Sequence, residues 1–345
     1  MDELDTVIFR TDRLGDFIIS CPFIKSYKKH FPNNSMTVIS SEYNFNFVNS
    51  FDFISKTISM KLKDNLFLRL FDLIKIILIL RKKEYKDIIV LDGKKRSFFV
   101  SFFLKGRKSI LLQSKKLSQL TRLLGYQTVM NHEIQSQLIN FSFLANILNF
   151  NICNKNPNIF KNRKLTNKFD LKKKYIIIHL DEKWFTQHYY SDFTDINPKS
   201  FEIENFIKKV FFYTKENCDI ILTSGSVKLK NLFEYTSKFE KIATNIFKKK
   251  IENNSIIYLH QLSLDDLTFV LCKSTFLICC EGGISHLSNN FKIPTLAFYE
   301  KKRYQHTRFW TGHMNKIILY ERKKMNDINN DNNLFKTISK NISIS

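Results

Sequence analysis

Two short turns hold the residue types that could do chemistry. In STFLICCEGGISHLSNNFKIPTLAFY (Ser274–Tyr299), the apolar run Thr275–Cys280 is broken by Glu281, Gly282 and Gly283, and His286 follows three residues later. Adjacent glycines let a ligand approach bare backbone, and a helix starting just after them offers unpaired N–H groups to an anion. His286 would sit in that helix's first turn. The other turn, Asp12-Arg13-Leu14-Gly15-Asp16, follows Thr6–Thr11 (TVIFRT), which reads as a strand, and places a carboxylate at a strand end. In open α/β sheets ligands bind at the carboxyl ends of the strands. The same residues also fit an ordinary βα turn with a surface histidine, and an aspartate that only caps a helix. Residue types alone leave both readings open.

Absent motifs narrow the chemistry. No G-x-G-x-x-G follows the first strand, and G-x-x-x-x-G-K-[ST], G-x-S-x-G and H-E-x-x-H are missing, which weighs against dehydrogenase, NTPase, serine hydrolase and zinc protease readings. No D-x-D is present to hold a divalent metal on a nucleotide-sugar. The six cysteines show no C-x-x-C spacing, so neither a zinc site nor a disulfide framework is indicated and reduced thiols are expected. Met1-Asp2-Glu3 leads into a strand without the basic and apolar regions of a signal peptide, so a cytoplasmic location is expected.

At 345 residues the chain suits two α/β domains. A hydrophobic content of 43% with 25% charged residues is globular. The formal net charge of +23 suits nucleic acid, an anionic membrane surface or a phosphorylated substrate, although abundant Lys throughout makes most of it solvated surface. No stacking-rich RNA motif or recognisable DNA-binding motif is present, so no specific nucleic-acid partner is expected.

The expected elements alternate strand and helix. Thr6–Thr11 is the first strand, followed by a helix to about His30 that Pro22 should kink or delay until after Ser20. Met36–Ser40 and Asp87–Leu91 are further strands. Leu66–Leu80 is the most apolar long stretch, but Arg69, Asp72 and Lys75 interrupt it at helical spacing, which predicts a core-facing amphipathic helix. Arg96–Leu104 reads as an apolar helix flanked by Lys94, Lys95, Arg96, Lys105, Arg107 and Lys108. Such flanks suit peripheral contact with an anionic membrane, or simply the charged ends of a buried helix. The lysine-rich stretch around 154–174 predicts an interdomain linker, dividing residues 1–160, 161–174 and 175–325 from a terminal helix or tail at 326–345. In the second series Tyr175–Leu180, Asp219–Thr223 and Ser255–Tyr258 are strands, Ser200–Tyr213 is a helix, and Ser263 with Asp266 caps another. The segment from Tyr299 to Trp310 reads as irregular.

Arg10-Thr11-Asp12-Arg13-Leu14-Gly15-Asp16, with Pro22 six residues on, resembles the N-terminal signature of glycosyltransferase family 9, the bacterial heptosyltransferases. Tyr85–Gly93 with Arg96-Ser97, His179–Trp184, Ile220–Gly225 and Leu262–Leu267 fall in the family's order. Glu281-Gly282-Gly283-Ile284-Ser285-His286-Leu287 through Pro294 then resembles its second signature, with Glu281 where the family usually has Asp. The loop after His179 is shorter than the family's and lacks its Pro-Gly-Ala.

The resemblance implies a GT-B fold: two Rossmann-like domains with parallel sheets facing a central cleft, acceptor on the N-terminal side and nucleotide-sugar on the C-terminal side. It implies inverting transfer without a metal or other cofactor, typically of heptose from ADP-heptose to the lipopolysaccharide core, with a lipid-linked or phosphorylated glycan as acceptor partner. By position Asp16 matches the catalytic base, beside Gly15 in the acceptor-side turn. Lys183 matches a phosphate-contacting lysine, and Glu281, Gly282, Gly283, Ser285 and His286 match the donor-binding turn. A base that removes the acceptor proton, and positive charge for the departing diphosphate, are what sugar transfer needs. Glu281 and the short loop keep a second reading in play, a catalytically weakened relative that binds or assembles.

Overall fold

The computed structural model describes residues 5–61, 65–112, 118–130, 136–155, 159–160, 169, 171, 173–185, 198–214, 218–225, 229–251 and 253–343. Most of the expected linker at 154–174, and Met1-Asp2-Glu3, lie outside the described residues. The chain divides into two compact units, Met1–Arg163 with Arg308–His313, and Lys164–Thr307 with Met314–Ser345.

In chain order the first unit contains β1 (Asp5–Arg10), α1 (Leu14–His30), β2 (Met36–Ser41), α2 (Phe45–Asn49), β3 (Lys56–Met60), α3 (Leu66–Leu80), β4 (Glu84–Val90), α4 (Lys95–Phe102), β5 (Lys105–Leu112), α5 (Ser118–Leu123), β6 (Gln127–Met130) and α6 (Gln137–Ile147). Its sheet is parallel with the order β3-β2-β1-β4-β5-β6. The order reverses between β1 and β4, whose Phe9 and Val90 are register partners. Strands covered on both faces must be apolar throughout, and Val7, Ile8, Phe9, Ile88, Ile89 and Val90 are fully buried.

Helix α1 starts at Leu14 and runs through Pro22, so it does not start late. Proline lacks the N–H that would bond back to residue 18, and the helix continues because Phe17, Phe23, Ile24 and Tyr27 hold it in the core. Helix α3 departs from the expected core-facing pattern. Leu73, Ile76, Ile77 and Leu80 pack on the sheet, whereas Phe67, Leu70, Phe71, Ile74 and Leu78 lie exposed. Strand β5, which begins Lys-Gly-Arg-Lys, was not foreseen. Gly106 holds φ +145° there, where a Cβ would collide with the Tyr85 carbonyl across the β4–β5 pairing.

The second unit contains β7 (Tyr175–Leu180), a 3₁₀ turn (Glu182–Trp184), α7 (Ser200–Thr214), β8 (Asp219–Ser224), α8 (Lys230–Thr236), β9 (Glu240–Ala243), β10 (Ile246–Ile251), β11 (Asn254–Leu259), α9 (Leu264–Cys272), β12 (Phe276–Cys280), α10 (Gly283–Asn290), β13 (Thr295–Tyr299), α11 (Tyr304–Thr311, which crosses into the first unit), β14 (Ile317–Glu321), α12 (Met325–Asn329) and α13 (Asn332–Ser343). The sheet order is β14-β13-β12-β7-β8-β11-β10-β9, parallel except for the antiparallel pairings of β10. Here the order reverses between β7 and β12. Ser263 accepts from the Asp266 N–H at 3.1 Å, the expected cap of α9. The stretch read as irregular after Tyr299 instead forms a 3₁₀ turn and α11. The C-terminal stretch forms α12 and α13, whose Ile328, Leu334, Phe335 and Ile338 pack into the core with Phe206 and Val210 of α7.

Candidate active site

Each sheet reverses its strand order once in its parallel part, and the expected site residues follow the strands at those two places. In the first unit, β1 delivers Thr11 to Asp16, and β4 delivers Asp92 beside them. Asp92 is buried, and its Oδ2 accepts from the Thr11 N–H (3.0 Å), the Thr11 hydroxyl (2.6 Å) and the Ser97 hydroxyl (2.7 Å). Its Oδ1 accepts from the Lys94 N–H at 3.1 Å. Arg96 donates to the Thr11 hydroxyl and carbonyl at 3.0 and 3.1 Å. A buried carboxylate satisfied this fully is a rigid brace, and it fixes the turn that carries Asp12 and Asp16.

Gly15 is buried in the first turn of α1, and Asp16 follows it with a quarter of its side chain exposed. Asp16 Oδ2 accepts from the Arg13 N–H at 3.1 Å, and Oδ1 lies 3.8 Å from Nη2 of the buried Arg10. The same guanidinium donates through Nε to the Asp16 carbonyl at 2.9 Å and through Nη1 to the Leu91 carbonyl at 2.9 Å. Asp16 therefore does cap the helix, and a fixed cation stands beside its second oxygen. Asp12 lies 3.3 Å from Arg10 Nη1 and 3.7 Å from Lys94 Nζ. Burial pushes it up to about 6 against the pull of Arg10, with Asp92 and Asp16 adding to the rise and Lys94 opposing it. Sequence reasoning gave Asp12 and Asp92 no role. The signal available for Asp92 was its place at the end of a buried strand.

In the second unit Lys183, Glu281, Gly282, Gly283, Ser285 and His286 come together, although Lys183 and Glu281 are 98 residues apart. Parallel pairing of β7 with β12 sets their strand ends side by side. Lys183 leaves the 3₁₀ turn, and its ammonium donates to the Glu281 carbonyl. A Cβ on Gly282 would lie 2.5 Å from Lys183 Nζ, so a larger residue there would push the ammonium aside. Ser285 is buried and closes the turn: its hydroxyl accepts from the Gly282 N–H at 3.2 Å and donates to the Gly282 carbonyl at 2.7 Å. His286 is also buried, its Nε2 3.9 Å from Glu281 Oε1. The start of α10 is the positive end of the helix dipole, so it and Lys183 together present positive charge.

Around this turn lie groups to which sequence reasoning gave no role. His179 Nδ1 is 2.9 Å from the Thr223 hydroxyl. Burial, helped by Lys183, lowers its pKa to about 4. Asp181 accepts from the Lys183 N–H at 3.1 Å. Burial pushes its carboxyl up to about 7 while Lys183 pulls it down. Trp184 is fully buried, donates to the His179 carbonyl at 2.9 Å and packs beneath the Arg322 guanidinium, 5.0 Å from the ring centre. Among the described residues, no group of three or more His, Cys, Asp or Glu side chains is arranged to hold a metal ion.

Two Rossmann-like parallel sheets with candidate ligand turns at their reversals define the GT-B type of nucleotide-sugar enzyme. Solved structures share that architecture over nearly the whole chain. E. coli heptosyltransferase WaaC, determined with ADP, superposes with a TM-score of 0.69 at 14% identity, covering 98% of this chain and 100% of that one. E. coli ADP-heptose LPS heptosyltransferase II gives 0.66 at 11% identity, covering 99% of each. A Haemophilus influenzae protein whose own glycosyltransferase designation is provisional is 21% identical over 325 residues, 88% of this chain and 84% of that protein. The model of glycosyltransferase family 9 (heptosyltransferase) matches residues 73–337. The chain belongs to that family and is a glycosyltransferase of the heptosyltransferase type.

Proposed function

We propose that this protein moves a sugar, heptose from ADP-heptose, onto a lipid-linked or phosphorylated glycan acceptor of the lipopolysaccharide-core class, with inversion and without a metal. The observation that carries the reading is the Lys183 ammonium held over the Gly282–His286 turn at the start of α10. Fixed positive charge there suits a diphosphate in the ground state and more so as it leaves. Asp16 takes the proton from the acceptor hydroxyl as its oxygen bonds to the anomeric carbon. The bond to the diphosphate oxygen breaks on the opposite face, and the nucleotide diphosphate departs with the electron pair. Arg10 holds the Asp16 backbone and stands beside its carboxylate. The acceptor's lipid anchor sets the reaction at the cytoplasmic side of a membrane, with the protein in peripheral contact.

A second reading, a weakened relative that binds without efficient transfer, draws on the Asp16 hydrogen bond to the Arg13 N–H, which a merely structural aspartate would also make. Melting-temperature shifts with ADP-, UDP-, GDP- and CMP-sugars, followed by transfer assays with the best binder, test both. Selective stabilisation by the ADP-sugar with turnover supports the first reading. Stabilisation without turnover supports the second, and preference for another nucleotide refutes the donor assignment.

A further inference from the structure

The inner side of α3 is fully used by the fold, with Leu73, Ile76, Ile77 and Leu80 on the sheet. Its outer side is nonetheless apolar. Phe67, Phe71, Ile74 and Leu78 recur at helical spacing and are exposed, Phe67 by 83% and Phe71 by 70%. Helix α4 packs beside α3 and adds exposed Phe99, Phe102 and Phe103, with ring centres 5.2 Å apart from Phe99 to Phe103 and from Phe102 to Phe103. Burying phenylalanine is worth far more than leaving it in water, and soluble proteins rarely expose so many large apolar side chains on two neighbouring helices. The two helices and the residues just after them carry exposed cations: Arg69, Lys75, Arg81, Lys82, Lys95 and Lys105.

We infer that this α3–α4 face is a monotopic docking surface for an anionic lipid bilayer, its phenylalanines entering the acyl boundary and its cations meeting lipid phosphates. At 15 residues α3 is about 22 Å long, short of the about 30 Å needed to span, so it lies in the interface. No helix among the described residues is long and apolar enough to cross a membrane. Charge complementarity selects the bilayer over a second copy of the chain. Two such faces brought together would oppose cation to cation, whereas anionic headgroups neutralise them. The inference rests on the membrane-borne acceptor proposed above and specifies the surface that reaches it.

The test is co-sedimentation of the full chain with vesicles of phosphatidylethanolamine and phosphatidylglycerol, against vesicles of phosphatidylcholine alone. The wild type binds the anionic vesicles preferentially. Phe67→Ser with Phe71→Ser lowers that affinity by roughly tenfold or more, with unchanged circular dichroism because both side chains are exposed. Lys82→Glu with Lys105→Glu lowers it by roughly tenfold and removes the preference for anionic lipid. Equal binding by the phenylalanine variant, or no binding by the wild type, overturns the inference. So does a dimer in sedimentation velocity that the same variant dissolves, which would assign the face to a second copy. Vesicle binding needs no donor, so ADP-sugar binding measured separately shows whether the transferase reading fails on its own.

Discussion

Lys183→Met removes the ammonium while keeping most of the side chain's length and volume. In the free protein that ammonium donates to the Glu281 carbonyl, so a donor diphosphate must draw it from a neutral acceptor to a charged one. A charge-assisted hydrogen bond contributes about 1.5–3 kcal/mol net. Because one partner is exchanged for another, the lower part of that range applies, about 1.5–2 kcal/mol. At about 1.4 kcal/mol per decade this is roughly a ten- to thirtyfold weaker Kd for ADP by titration calorimetry. Gly282→Ala is the companion variant. It keeps the charge but sets a Cβ 2.5 Å from Nζ, displacing the ammonium, so it weakens ADP by less than Lys183→Met does. If Lys183 served only to tie the turn, the methionine variant would lose about 1 kcal/mol of stability, a fall of about 2–4 °C in Tm. In that case ADP affinity would stay within twofold of wild type, and this outcome refutes a phosphate role for Lys183.

Asp16→Asn retains a side-chain oxygen to accept from Arg13 N–H and removes the basicity, so turnover falls roughly a hundredfold or more while Tm and ADP binding hold; wild-type turnover would end its assignment as base. Sugar transfer continues in EDTA, since Lys183 and the α10 start supply the positive charge, and activity lost to EDTA and restored by magnesium or manganese contradicts this. Asp181, pushed up to about 7, binds its proton more tightly folded than unfolded, so its contribution to stability is full below about pH 4 and lost as pH rises to about 7. Asp181→Asn keeps an acceptor for the Lys183 N–H, and its Tm therefore gains on wild type progressively across that window. His179 and His313, both lowered to about 4 by burial, act in the opposite sense below about pH 6.5, so the comparison is with the variant at each pH. A difference in Tm that stays constant from pH 4 to 7 rules out a raised Asp181.

Both turns were legible in the sequence because their signals are local. A buried parallel strand must be apolar in its middle, and Phe276–Cys280 and Val7–Phe9 are. Gly282-Gly283 and Gly15-Asp16 then mark where the chain leaves the sheet, and family resemblance supplied the roles. The alternation of strand and helix fixed the α/β class for the same reason. Strands β9 and β10, which carry Lys241, Lys248, Lys249 and Lys250, and β5 with its Lys-Gly-Arg-Lys start were not legible. The edge strand β9, its neighbour β10 and strand entries take their stability from pairing partners, which composition does not record.

What only the tertiary structure decided was distance and environment. The β1–β4 pairing brings Asp92 to Thr11 across 81 residues, and the β7–β12 pairing brings Lys183 to Glu281 across 98. The raised carboxyls of Asp12 and Asp181 follow from burial among those neighbours. Helix α3 shows the limit most directly, since apolar residues fill the wide arc outside its Arg69-Asp72-Lys75 stripe and periodicity cannot say which part of that arc the sheet takes. Packing assigned Ile76, Ile77 and Leu80 to the core and left Phe67 and Phe71 in water, because a helix lying on a sheet can bury only the side that faces it.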